Sequence, residues 1–120
     1  MRLRHAREFS SVFDAGCRKP SGPLVLYSKP NDRRHPRLGL SVGRRVGGAV
    51  ARNQIKRRLR EAFRHMQHNW SIPLDLVVAV RPHRPLSSAD YSRLLEQAWR
   101  RAHAEWEKRE RRARSGGESP

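Results

Sequence analysis

Residues 37–60, RLGLSVGRRVGGAVARNQIKRRLR, constrain the fold more than any other stretch of the chain. In 37–42 the apolar residues Leu38, Leu40 and Val42 alternate with Arg37, Gly39 and Ser41, the period of a strand with one face in a core. A Gly-rich turn follows, and over 49–68 the period becomes that of a helix. Projected at about 100° per residue, Ile55, Leu59, Ala62, Phe63 and Met66 fall within an arc of about 100° and form the buried face. Asn53, Lys56, Arg57, Arg60 and Arg64 collect on the opposite side, with Arg52 at the seam. Residues 74–81, LDLVVAVR, are apolar nearly throughout, as in a strand covered on both faces. Strand, helix and strand in that order make a β-α-β unit, whose default crossover is right-handed.

The flanking segments complete the pattern. Residues 6–15 read as a short helix, with Ala6, Phe9, Val12 and Phe13 at helical spacing and Gly16 as the stop. Residues 23–28, PLVLYS, read as a strand closed by the turn-like KPNDRRHP. A last helix opens at Ser87-Ser88-Ala89-Asp90 in the manner of a capping box, and carries the apolar stripe Tyr91, Leu94, Leu95, Ala98, Trp99, Ala102 and Trp106. Beyond Trp106 the residues are charged and then small, the composition of a frayed or disordered tail. The expectation is one α+β domain over 1–106, in the order α-β-β-α-β-α with helices packed on a small sheet, and a tail over 107–120.

Charge narrows the partner. Among 120 residues, 27 are Lys or Arg and 11 are Asp or Glu, a formal net charge of +16. Such an excess repels itself in a compact fold and is best neutralised by a polyanion, which points to nucleic acid. Glu61 is the only acid between Arg44 and Arg64, so no ladder of opposite charges covers the basic face of the central helix. Arg44 and Arg45 precede Gly47-Gly48 and the helix start. That turn reads equally as a phosphate perch on free backbone N–H groups or as a plain flexible connection. The amino-terminal MRLRHAREF lacks the apolar region of a signal peptide, and no apolar run reaches the roughly 20 residues that span a bilayer. A soluble, cytoplasmic protein without a membrane partner is the expectation.

Other chemistries find little support. A metal-dependent nuclease needs clustered carboxylates, and here the acids are scattered. His65 and His68 sit three apart without an obvious third ligand. No G-K-[ST] follows Gly43, Gly47 and Gly48, so they form no Walker loop. Cys17, the single cysteine, excludes a disulfide framework and reads as a spare loop thiol.

The string GLSVGRRVGGAVARNQIKRRLREAF resembles the signature of the bacterial ribonuclease P protein subunit: a Gly-Leu-Ser-Val strand, then a helix with an Arg-Asn-Arg core and Ile-Lys-Arg-x-x-Arg. The resemblance takes in the F-x-x-V-F pattern, the LVLY strand and the DLVVAVRP strand, roughly residues 2–106. Two positions depart from it. Gln54 stands where the motif has its second Arg, and Gly47-Gly48 where a Gly-Asn pair is common. Loss of the Arg charge at Gln54 should weaken RNA affinity modestly.

The resemblance implies an α/β sandwich with a left-handed β-α-β crossover, against the default. It implies two partners, a catalytic RNA subunit and precursor tRNA, with the 5′ leader removed by magnesium-dependent chemistry that belongs to the RNA and no catalytic residue in the protein. The RNA-binding set is then Arg52, Asn53, Lys56, Arg57 and Arg60, with Arg44, Arg45 and Arg64 adjoining by charge. A leader cleft would use Phe9, Phe13 and Tyr27. By periodicity alone, Phe9 and Phe13 serve equally as ordinary core residues. Tyr27 lies on the strand face opposite Leu24 and Leu26, where an aromatic can stack a splayed base. Arg37 and Ser41 point away from their strand's apolar face, toward the same groove. A ribosomal RNA-binding protein would share the charge and helix without needing the aromatics. A DNA-binding protein would need a helix-turn-helix pattern, which is missing, so no DNA partner is expected.

Overall fold

The computed structural model describes residues 2–3 and 6–118, with side chains as far as residue 114. Three helices, α1 (Ala6–Asp14), α2 (Ala49–Met66) and α3 (Ser88–Glu118), accompany four strands, β1 (Cys17–Ser21), β2 (Leu24–Pro30), β3 (Arg37–Val42) and β4 (Leu74–Val80). The strands form one mixed sheet in the order β1-β2-β4-β3. β4 pairs antiparallel with β2, Val25 opposite Ala79 and Tyr27 opposite Val77. On its other side it pairs parallel with β3, Gly39 opposite Val77. The parallel pair is joined through α2, which is the β-α-β unit read from the sequence.

Alternation along the strands divides the interior in two. Leu24 and Leu26 of β2, Leu38 and Val42 of β3, and Leu76, Val78 and Val80 of β4 pack with α2 and α3 in the main core. Val77 faces the other way, against Leu3 and Val12, with Phe9 and Tyr27 packed at the margin. β4 is therefore covered on both faces, as its unbroken apolar run requires. Ile55, Leu59, Ala62, Phe63 and Met66 are the buried residues of α2. Burying each large apolar side chain contributes about 1.5–3 kcal/mol.

The sheet has one strand more than periodicity reveals. β1, CRKPS, pairs with β2, placing Arg18 opposite Tyr27 and Pro20 opposite Val25. Its composition resembles a loop, but it is an edge strand, where a proline is tolerated. Gly22, at φ +56, makes the hairpin turn. Cys17 is consequently not in a loop: it is 1% exposed, a core side chain of β1.

α3 also departs from the composition reading, running to Glu118 where a disordered tail begins in the sequence-based expectation. Its start is capped, Ser87 Oγ accepting the Asp90 N–H at 3.1 Å. Past Trp106 the residues are mostly Arg, Lys, Glu and Ala, strong helix formers. Glu105 pairs with Arg109 at 3.0 Å and Glu110 with Arg114 at 3.9 Å, both at i, i+4. Trp106 secures this extension by donating to Ser28 Oγ at 2.9 Å.

Candidate nucleic-acid interface

Packing of α2 by its apolar stripe fixes which side chains it turns outward. Asn53, Arg57 and Arg64 are exposed, and Arg52, Lys56 and Arg60 are half-buried at the flanks. Arg64 is shared with Glu61, which also receives His65 at 3.3 Å. Arg58, outside the predicted set, donates to the Leu86 carbonyl and ties α2 to the segment before α3. Arg52 Nε is buried without a hydrogen-bond partner, a guanidinium N–H still to be satisfied.

Two backbone features continue this surface. Arg44 and Arg45 occupy a single 3-10 turn, Arg44–Val46, and both are exposed. Gly48 at the start of α2 provides no side-chain cap, and the first turn contains no acid, so the helix N-terminus keeps its positive end. Arg2 belongs to the surface too. Its backbone bridges to Leu38, and Leu3 N–H donates to the Leu38 carbonyl at 3.1 Å. Burial, and then the charge of Arg2, pull the Arg60 guanidinium below its ordinary pKa. Two like charges approach at the outer edge of β3, an arrangement that favours an anion. Nothing in the sequence marks Arg2, because its bridge to β3 is a long-range contact.

The second constellation lies on the opposite sheet face. Phe9 and Tyr27 are half-buried, and Phe13 is 38% exposed, one of two large apolar side chains so open among the described residues. Phe13 and Tyr27 meet edge to face, centroids 4.7 Å apart at 76°. Val12, not Phe13, is the core residue of α1, so core packing does not account for Phe13. Phe9 lies directly on β3: a Cβ on Gly39 would stand 2.6 Å from its Cζ. Ser41 is exposed on the Gly39 side of β3, but it is two strands across and two residues along from Tyr27, about 12 Å away at ordinary strand spacing and rise.

Arg37 is on this face but already committed. Its Nε and Nη2 donate to Asp75 at 2.8 and 2.6 Å, and Nη1 to Glu8. The side chain is 11% exposed, and the hydrogen bonds to Asp75 raise its pKa despite burial. Asn31 completes the cluster, donating to Asp75 Oδ1 at 2.8 Å. Sequence reasoning missed Arg18, exposed and opposite Tyr27 across the hairpin, on the same sheet face. Ser21-Gly22, a turn dipeptide just before the LVLY run, was the available signal.

Among the described residues no three His, Cys, Asp or Glu side chains gather as metal ligands. Asp75, the most buried acid, is occupied by Arg37 and Asn31. No helix among those described is long and apolar enough to cross a membrane.

Fold and surface define a small basic α+β protein with an exposed basic helix face on one side of its sheet and an aromatic groove on the other. Comparison with known proteins makes the class specific. The family model for ribonuclease P matches residues 1–103, and the chain belongs to that family, the protein components of the tRNA 5′-processing ribonucleoprotein. The ribonuclease P protein component of Aliivibrio salmonicida is 35% identical over 102 residues, 84% of this chain and 87% of that protein. The Staphylococcus aureus RNase P protein superposes with a TM-score of 0.75 at 29% identity, over 84% of this chain and 94% of its own. The Thermotoga maritima protein gives 0.72 at 28%, over 81% and 93%.

Proposed function

We propose that this chain docks on the catalytic RNA subunit through α2 and holds the 5′ leader of precursor tRNA in the aromatic groove. The protein contributes binding and orientation, and the RNA contributes the cleavage chemistry. The observation that carries this reading is the division of labour across one sheet. An outward helix face with a single acid, Glu61, lies on one side, and an exposed Phe13 against a half-buried Tyr27 on the other. Arg44, Arg45, Arg52, Asn53, Lys56, Arg57, Arg60 and Arg64 form the docking set, and Arg2 joins it. Guanidinium groups suit phosphate by their planar fork, and Asn53 adds a directional amide that can meet a 2′-hydroxyl.

In the groove, Phe13 and Tyr27 offer ring faces to unstacked bases, and Phe9 forms the floor above Gly39. Arg18 sits opposite Tyr27 and supplies a cation beside the rings. Ser41 forms the far rim. Arg37 acts here by holding α1, through Glu8, at a fixed distance from the sheet. Magnesium serves the cleavage chemistry of the RNA in this reading. Residues 1–106 form the RNA-binding unit, and the complex works in the cytoplasm.

Reconstitution tests the reading. Added to a bacterial ribonuclease P RNA at low magnesium, the protein should stimulate removal of the leader from precursor tRNA. Absence of stimulation where another bacterial subunit works would refute it.

A further inference from the structure

The extension of α3 offers a surface that neither the family model nor the docking set includes. Lys108, Arg111 and Arg112 lie beyond residue 103, where the family match ends. At i, i+3 and i+4 they share one face of the helix. All three are exposed. Each nearby acid is engaged elsewhere: Glu105 with Lys19 at 3.2 Å and with Arg109, Glu107 with Ser71, and Glu110 with Arg114. A solvated helix face ordinarily alternates its charges, and this one does not.

The stripe is also held in place. Trp106 is hydrogen-bonded to Ser28, Arg109 stacks 4.6 Å from the Trp106 ring centroid, and Arg109 Nη2 donates to the Gly16 carbonyl at 3.2 Å. Trp106 falls on the buried side of α3, so the stripe points away from the sheet. A helix fastened in this way presents its charges without the ordering cost of a loose tail.

We propose that Lys108, Arg111 and Arg112 form a second docking surface for the phosphate backbone of the RNA subunit. The assignment rests on the reading of this chain as a ribonuclease P subunit and extends it to a segment outside the family match. The RNA subunit is the occupant because α3 packs with α2 on the main-core side of the sheet, whereas the aromatic groove opens on the other.

The test compares the full chain with the triple variant Lys108→Ala, Arg111→Ala, Arg112→Ala, measuring affinity for ribonuclease P RNA across a salt series. Alanine keeps the helix, which circular dichroism checks. The stripe predicts a plot of log affinity against log salt shallower by about two units, and about 10- to 100-fold weaker binding near 0.15 M salt. The charge-preserving variant Lys108→Arg, Arg111→Lys, Arg112→Lys should keep the parent slope. If the parent binds and the triple alanine variant shows the same slope, the stripe inference falls and the subunit reading stands. If the parent chain does not bind the RNA subunit, both fall. Unchanged RNA-subunit binding with weaker precursor-tRNA binding by the holoenzyme would place the stripe on the substrate and overturn the assignment.

Discussion

Between α1 and the sheet, Arg37 gives two nitrogens to Asp75 and one to Glu8, so three elements meet at one guanidinium. Removing one partner leaves a nearly buried charge uncompensated. Asp75→Ala should cost about 3–5 kcal/mol in chemical denaturation, and adding Arg37→Met should restore part of the loss. Full additivity of the two would show that the pair is not coupled. Gly39 is equally specific, since a Cβ there would enter the Phe9 ring. Phe13 and Tyr27 are the residues on which the proposed leader site rests. Phe13→Ala with Tyr27→Ala should weaken binding of leader-bearing precursor by about 10-fold or more, at about 1–3 kcal/mol per stacked base, and leave mature tRNA nearly unaffected. Equal losses for both substrates would remove the leader from this groove.

At the scale of elements, α3 depends on its attachment to β1 and β2. Arg109 and Lys19 hold the Glu105 carboxyl below its ordinary pKa. Because the folded value is the lower one, the stabilisation is present above about pH 4.3 and is lost as pH falls through the folded value. Amide protection factors in the extension should therefore fall below pH 4 before those of the main core. Simultaneous loss of protection in both would contradict this. Trp106→Ala should loosen the same segment, with a cost of about 2–4 kcal/mol for a half-buried tryptophan.

The elements also differ in how well their sequences announce them. α2 was legible because its apolar spacing and its lack of acids both survive in one dimension, and β4 because double burial writes an unbroken apolar run. β1 was not, since its pairing with β2 overrides a composition of Arg, Lys and Pro. The α3 extension was misread because charge density alone does not separate a disordered tail from a helix stitched by i, i+4 pairs. In the groove, Tyr27 followed from strand alternation. Arg18 and Arg2 depend on partners distant in sequence, and the commitment of Arg37 to Asp75 became visible only once β3 lay beside β4.

For the molecule as a whole, a net charge of +16 on 120 residues makes anions part of the stability balance. Sulfate or phosphate should raise the melting temperature of the free protein, by up to about 2.7 kcal/mol of stabilisation at 100 times the dissociation constant. A melting temperature indifferent to anion type at constant ionic strength would show that no anion is specifically held. The charge also gives the two sheet faces different salt responses. Arg57→Ala should flatten the salt dependence of RNA-subunit binding by about one unit per lost phosphate contact, whereas the aromatic variants should leave that slope alone.

Both edges of the sheet are occupied by other parts of the chain. At β3 the Arg2–Leu3 segment takes up Leu38. At β1 the carbonyls of Gly16 and Pro20 accept from Arg109 and Arg101, and Pro20 has no N–H to offer. Each edge is thus partly capped, at Leu38 on β3 and at Pro20 on β1, which shortens the strand a second copy could pair with. These caps are short-range contacts, so unlike the repulsion of the net charge they do not weaken when salt screens it.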